Sequence, residues 1–140
     1  MARISWKTLL GRKAARRFKR EKVVWLTTMG KGGQPQPRPV WFLFDGKSFL
    51  IYSRARARKL AHIRRAPNVA LHLNSDPDGD DVVVLLGRAR IDPKAPRAHE
   101  VPAYLRKYRK GIASLGSTPA QFAAEYSQAI RITPTALRGF

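Results

Sequence analysis

Residues 23–65 read VVWLTTMGKGGQPQPRPVWFLFDGKSFLIYSRARARKLAHIRR, and this stretch decides the fold that the sequence predicts. It begins with β-branched and aromatic residues, turns at a glycine-rich run, and returns as an apolar strand after three alternating prolines. An Asp-Gly pair marks a second tight turn, a short strand SFLIYS follows, and a helix crowded with Arg and Lys closes the stretch. Strands joined by such tight turns predict an antiparallel sheet with one helix inserted after its third strand.

Within this stretch we predict strands at residues 23–28, 36–44 and 48–53 and a helix at residues 55–65. The strand at 36–44 is apolar on both faces, so we expect one face to fill a barrel and the other to meet a partner or a ligand. Pro67 ends the helix, because the residue before a proline avoids the helical conformation.

The flanking sequence adds further short elements. Residues 4–20 place apolar side chains near helical spacing between Arg and Lys, which predicts an amphipathic helix. The acidic loop SDPDGDD joins two more predicted strands, and it lacks the spacing and the terminal Glu of an EF-hand calcium loop. The remaining predictions are strands at 68–74 and 82–91, helices at 98–110 and 119–127, and a final strand from 130 to 140 that is split by Pro134.

The predicted fold class is mainly β, of the α+β kind: a split antiparallel β-barrel with short peripheral helices. A chain of 140 residues is long enough for one hydrophobic core and too short for two ordinary domains. We therefore expect one domain over residues 1–140, built from a basic N-terminal helix at 1–21, barrel strands with the inserted helix at 22–93, helices at 94–128 and a C-terminal strand at 129–140.

Composition excludes several classes of function. The chain has no Cys, so disulfides and thiolate metal sites are absent, and its three His lie too far apart to suggest a metal cluster. No apolar run approaches the roughly 18 to 20 residues of a membrane span, and the basic start lacks the apolar core of a signal peptide. We expect a cytoplasmic protein. Its 28 basic and 9 acidic residues give a net charge of +19, which should attract polyanions.

No motif for a nucleophile, a general base or a metal is present, so no catalytic residue is predicted and a cofactor would have to carry any chemistry. One candidate site is the basic cluster Arg54, Arg56, Arg58, Lys59, Arg64 and Arg65, where a strand meets a helix start. Helix N–H groups, the Ser53 hydroxyl and these cations could bind phosphate. A solvated charged face remains the alternative interpretation.

The second candidate is the segment with Pro35, Pro37 and Pro39, which leads into Trp41. Each proline removes a backbone donor, so we do not expect this segment to be central in a continuous sheet. An open sheet there would leave carbonyls, and the N–H groups of residues 36, 38 and 40, free to face a planar heterocycle. The alternative is an edge strand that its prolines protect against aggregation.

Several motifs together resemble one family. They are TT before a Gly turn, PVWFL, LIYS, KL followed by IRRAPNV, DVVVLLG, VPAYLRKY and the closing TPTALRGF. In these the sequence resembles the split-barrel superfamily of pyridoxamine 5′-phosphate oxidase-like flavoproteins. More narrowly, it resembles their branch of actinobacterial oxidoreductases that depend on the deazaflavin coenzyme F420.

The resemblance implies a homodimer with two cofactor sites in grooves at the dimer interface. It places the coenzyme ring beside Pro37, Arg38, Pro39, Val40 and Trp41, phosphate contacts at Ser53, Arg58 and Lys59, and further lining at Thr28 and Tyr52, with Arg138 and Phe140 contributed by the partner. The implied enzyme is a reductase that transfers hydride from reduced coenzyme F420 to a small conjugated organic acceptor.

Two other interpretations stay open. One is a flavin mononucleotide (FMN)-binding oxidoreductase, or a flavin- or tetrapyrrole-binding protein, of the same fold. The other is a basic nucleic-acid-binding module, which the net charge favours, although no recognised nucleic-acid motif is present. We therefore expect a small-molecule substrate, no specific nucleic acid and no membrane span.

Overall fold

The computed structural model describes residues 4–140, so the first three residues of the predicted N-terminal segment at 1–21 lie outside the described residues. Within residues 4–140 there are four helices: α1 Leu9–Arg20, α2 Arg58–Arg65, α3 Pro102–Ser114 and α4 Pro119–Glu125. The seven strands are β1 Val24–Met29, β2 Pro35–Val40, β3 Leu43–Phe44, β4 Phe49–Ser53, β5 Asn68–His72, β6 Val83–Ile91 and β7 Gln128–Gly139. Single turns of 3₁₀ helix occur at Lys31–Gly33 and Ala98–Glu100.

The strands form one antiparallel sheet in the order β2-β1-β5-β6-β7-β4-β3. The two edge strands, β2 and β3, are separated in the chain only by Trp41 and Phe42. Because two residues span only about 7 Å when extended, opposite edges of the sheet can be joined this way only if the sheet curls until they meet. This curled sheet with four helices around it confirms the predicted split barrel.

The prediction of one strand over residues 36–44 is wrong, because the chain changes partner in its middle. β2 pairs with β1, whereas β3 pairs with β4 at the other edge. At the break, helix α3 satisfies the backbone of Phe42: its N–H donates to the Tyr108 hydroxyl at 2.8 Å, and its carbonyl accepts from Lys107 Nζ at 2.9 Å. Side chains thus replace the strand partner that the crossing segment lacks.

The barrel interior is filled from one end by helix α1. Its Phe18 is fully buried and meets Phe49 edge to face at 4.8 Å between ring centroids. The helix begins at Leu9 and not at residue 4, because Thr8 acts as its N-cap and accepts from the Gly11 N–H at 2.9 Å. Helix α2 buries Leu60 and Ile63 in the same core.

A second apolar cluster lies outside the barrel, where α3 and α4 cover strand β4. It contains Tyr104, Tyr108 and Phe122, and Trp41 stacks on Tyr108 with the ring planes 6° apart and the centroids at 4.6 Å. The second apolar face of the segment before β3 is therefore covered largely by this chain's own helices. Trp41 stays partly exposed beside these helices, so the expectation that this face meets a partner or a ligand stays a prediction.

Other differences from the predicted boundaries have local causes. The helix predicted at 98–110 divides into a 3₁₀ turn and α3, because Pro102 begins a new helix. The final strand is continuous across Pro134, which lies at a register shift opposite Gly87, where a proline is tolerated. The helix predicted at 55–65 starts only at Arg58, after a turn closed by the Ala57 N–H and the Arg54 carbonyl.

Candidate functional site

Strand β2 is an edge strand and is largely exposed on both faces. Its prolines 35, 37 and 39 face residues 29, 27 and 25 of β1. Since proline has no N–H, the ladder bonds to β1 must come from Gln36, Arg38 and Val40, and the outer edge offers carbonyls only. The prediction that the N–H groups of these three residues are free to face a ligand is therefore wrong. Their side chains remain available.

Helix α2 brings its first turn beside this strand. Ala57 occupies the N-cap position and has no side chain that could cap the helix. A groove of about 750 Å³ lies between the β1–β2 hairpin and this helix start. We call it the cationic groove, because its charged lining residues are Lys31, Arg38, Arg58 and Lys59.

No carboxylate balances these four cations. The lining of the groove contains no Asp or Glu, and none of the four side chains forms an ion pair within residues 4–140. Burial lowers the pKa of the half-buried Lys59 ammonium, and the nearby Arg38 guanidinium lowers it further. Clustered like charge of this kind is relieved when an anion binds, so the groove is suited to a phosphate or a carboxylate.

A hydrogen-bonded pair lies among the lining of the cationic groove. Thr28 Oγ1 of β1 lies 2.8 Å from Nδ1 of His62 in α2, and Thr28 is buried. The sequence predicts Thr28 as lining but treats His62 as structural. His62 follows Arg58 by four residues, so both lie on one face of the helix. This spacing is the sequence signal that would have added His62 to the predicted site residues.

A second groove of about 510 Å³ adjoins the first and shares Pro39, Ala57 and Lys59 with it. We call it the aromatic groove, because its lining includes the rings of Trp41, Tyr52, Tyr104, Phe122 and Tyr126. The two grooves therefore meet at these three residues, and the lining changes there from mainly cationic to mainly aromatic.

The chemistry of the aromatic groove is set by burial. Tyr52 donates its hydroxyl hydrogen bond to the Pro96 carbonyl at 2.6 Å, and burial raises the pKa of this phenol to about 12. Burial also raises the pKa of Tyr104. Both phenols are therefore neutral at physiological pH. At the rim, Arg54 pairs with Glu125 at 2.6 Å and lies 5.2 Å from the ring centroid of Tyr126.

The two grooves together bring eight of the twelve predicted site residues into one region: Thr28, Arg38, Pro39, Val40, Trp41, Tyr52, Arg58 and Lys59. Pro37 lines neither groove, and its carbonyl accepts from Arg38 Nη1 at 2.7 Å. Ser53 is also outside both linings, because its buried hydroxyl donates to the Arg54 carbonyl at 3.0 Å.

Arg138 and Phe140 lie elsewhere in this chain. Phe140 exchanges backbone hydrogen bonds with Val82 and accepts from Lys13 Nζ at 2.8 Å, and Arg138 lies opposite Val84. Neither residue lines either groove. The sequence predicts that Arg138 and Phe140 of a partner subunit contribute to the site, and this stays a prediction.

Several lining residues are missing from the predicted set, and most come from distant parts of the sequence. Residues 104, 115, 122 and 126 reach the aromatic groove through the packing of α3 and α4 on β4. Their aromatic spacing predicts buried helix faces but not the strand that those faces cover. In residues 4–140, no three His, Asp or Glu side chains lie close enough together to hold a metal ion.

Solved structures share this architecture. A protein described as an F420 reductase is 25% identical, with a TM-score of 0.67, and the match covers 88% of this chain and 94% of that one. The conserved hypothetical protein Rv2991 from Mycobacterium tuberculosis is 21% identical, with a TM-score of 0.71, over 99% of this chain and 88% of that one. HutZ, the heme storage protein from Vibrio cholerae, is 14% identical, with a TM-score of 0.61, over 90% of this chain and 92% of that one.

Sequence comparison gives the family. No curated protein matches the chain significantly. A family model described as pyridoxamine 5′-phosphate oxidase matches residues 10–140, which include all seven strands and nearly all of α1. The match covers most of the chain and agrees with the curled seven-stranded sheet. The chain therefore belongs to the pyridoxamine 5′-phosphate oxidase family.

Proposed function

We propose that this chain is an oxidoreductase that binds reduced coenzyme F420 and transfers hydride to a small conjugated organic acceptor. The observation that carries the proposal is the cationic groove, in which Lys31, Arg38, Arg58 and Lys59 have no carboxylate partner. Coenzyme F420 carries a phosphate and a glutamate tail, so it presents several negative charges where FMN presents one phosphate. The 25% identity to a protein described as an F420 reductase supports the same choice.

The acidic tail would lie in the cationic groove and the ring near its junction with the aromatic groove. Arg58 and Lys59 at the start of α2 would bind the phosphate, aided by the positive end of the helix. An exposed ion pair is worth ~1 kcal/mol or less, so several of these contacts must act together. The bound coenzyme would supply the hydride, while Pro39 at the junction of the two grooves would orient the ring and exclude water from one side of it.

We propose further that the functional unit is a homodimer. The outward face of β1, β5 and β6 carries Trp25, His72 and Leu86, which are only partly buried in the single chain. Trp25 and His72 lie opposite each other on neighbouring strands, with ring centroids 6.2 Å and ring planes 6° apart. A second copy would cover these side chains by packing against the face of the sheet. Such a dimer would not need the edge strand β2, whose prolines hinder pairing with another strand.

A fluorescence titration with oxidised coenzyme F420, beside a parallel titration with FMN, tests the proposed cofactor. We expect saturable quenching by coenzyme F420 at micromolar protein and weaker binding of FMN. Lys59→Gln should weaken coenzyme F420 binding by about tenfold, because it removes a half-buried phosphate partner.

Lys47→Gln is the matched control, since Lys47 is exposed in the turn before β4 and lines neither groove. It removes the same charge from the molecule and should leave the dissociation constant unchanged. If both variants bind coenzyme F420 equally weakly, the loss reflects the net charge of the protein and not a contact of Lys59. If the wild type binds FMN more tightly than coenzyme F420, coenzyme F420 is not the cofactor.

A further inference from the structure

The aromatic groove has a different chemistry from the cationic groove that it adjoins. The rings of Trp41, Phe122 and Tyr126 form a nearly parallel series: Trp41 and Phe122 are 22° apart, and Phe122 and Tyr126 are 20° apart. Centroid separations along this series are 5.5 and 4.5 Å. Because these rings stack on one another and Phe122 is only 3% exposed, the series presents ring edges more than ring faces to the groove. An aromatic molecule can pack against such edges in the edge-to-face arrangement that aromatic pairs favour.

The charged side chains of this groove are both cations. Arg54 lies at the rim and Lys59 at the junction, and the lining contains no carboxylate. Arg54 is held in place by Glu125, which bonds its Nη2 atom, and by the ring of Tyr126 beneath it. Arg54 also makes a side-chain hydrogen bond with Tyr126. Its Nε and Nη1 atoms make no ion pair within the described part of the chain, and a guanidinium has five N–H donors, so donors remain for a second anion.

The geometry points to a binding site for a planar aromatic carboxylate in the aromatic groove, with the ring against Trp41 and Tyr126 and the carboxylate toward Arg54. Resting on the function proposed above, this molecule is the hydride acceptor, bound beside the coenzyme and not in its place. An electron-poor double bond conjugated to its ring takes hydride at one atom and a proton from solvent at the other, and the reduced coenzyme is oxidised in the same step. The assignment narrows the acceptor to a flat anion and disfavours a cationic one.

Three matched probes test the site on the free protein: 2-naphthoate, the neutral 2-naphthamide and the cationic 2-naphthylmethylammonium. Binding is measured by calorimetry and by quenching of tryptophan fluorescence. We expect naphthoate to bind most tightly, the amide less tightly and the ammonium compound most weakly. The dissociation constants of naphthoate and the amide should differ by about fivefold, since an exposed ion pair contributes no more than that. Equal affinities, or the reverse order, would overturn the assignment.

Two variants of the same ion pair separate recognition from loss of structure. Arg54→Gln should weaken naphthoate binding by about fivefold and leave the amide unchanged. Glu125→Gln should strengthen naphthoate binding, because it removes the carboxylate that competes for Arg54. Structural damage would move both variants in the same direction, which would contradict the assignment. Arg64→Gln, an exposed arginine of α2 outside both grooves, should change nothing.

A final titration places naphthoate relative to the coenzyme. With coenzyme F420 at saturation, naphthoate should still bind, because the two ligands occupy adjoining grooves. Displacement of naphthoate by the coenzyme would overturn its role as the acceptor site. Failure of the coenzyme to bind at all would refute the proposed function, while the order of the three probes would still decide whether the groove selects planar anions.

Discussion

Tyr108 stabilises the segment between β2 and β3, where the chain passes from one edge of the sheet to the other. Its ring stacks on Trp41, and its hydroxyl accepts from the Phe42 N–H at the point where the chain leaves one sheet edge for the other. The same hydroxyl lies 2.8 Å from the carbonyls of Lys22 and Phe42, so it can donate as well as accept. Burial raises the pKa of this phenol, which keeps its proton available.

Tyr108→Phe should therefore lower the free energy of unfolding by ~1 to 3 kcal/mol, because it leaves the buried Phe42 N–H without a partner. Urea denaturation followed by circular dichroism measures the change. Tyr104→Phe is the matched control: Tyr104 is equally buried in the same cluster, and its hydroxyl makes no hydrogen bond within residues 4–140. Equal losses in the two variants would show that the Phe42 bond contributes little.

At the scale of the elements, local signals predict correctly wherever a short segment decides its own structure. The Asp-Gly turn before β4 is of this kind, and so is the end of α2 before Pro67. The division of residues 36–44 into two strands could not be predicted, because it depends on α3, more than 60 residues later. The part of the aromatic groove that α3 and α4 supply could not be predicted for the same reason: its rings meet β4 only after these helices pack on it.

The N-cap of α4 gives a prediction at this scale. Thr118 Oγ1 accepts from the Gln121 N–H at 3.2 Å, and the Gln121 side chain accepts from the Thr118 N–H at 3.0 Å. Thr118→Ala should cost ~1 kcal/mol of stability, since it removes one half of this reciprocal cap. Thermal unfolding measures the loss, and Thr118→Ser, which keeps the hydroxyl, should recover most of it. Failure of Ser to recover stability would assign the effect to the lost methyl group.

For the whole molecule, the net charge of +19 is large enough to oppose association of two copies. The sheet face of β1, β5 and β6 is comparatively poor in charge at its centre, where Leu86 lies opposite Ala70 of β5 and Ala136 of β7. Arg88 of β6 and Arg138 of β7 are exposed and lie two residues from this centre, Arg88 beyond Leu86 and Arg138 beyond Ala136. An apolar centre with a charged rim is the composition expected of a specific interface.

Leu86→Lys tests this face, because Leu86 is 40% exposed in the single chain and a lysine there costs the monomer little. In a dimer the new ammonium would be buried without a partner, so association should weaken by ~3 kcal/mol or more, about a hundredfold in the dissociation constant. Sedimentation equilibrium over a concentration series measures it. Leu9→Lys is the control, since Leu9 is 81% exposed on α1, away from this face. We expect the wild type and Leu9→Lys to be dimers and Leu86→Lys to be a folded monomer. A monomeric wild type, or a Leu86→Lys variant that associates as strongly as the control, would exclude this face as the interface.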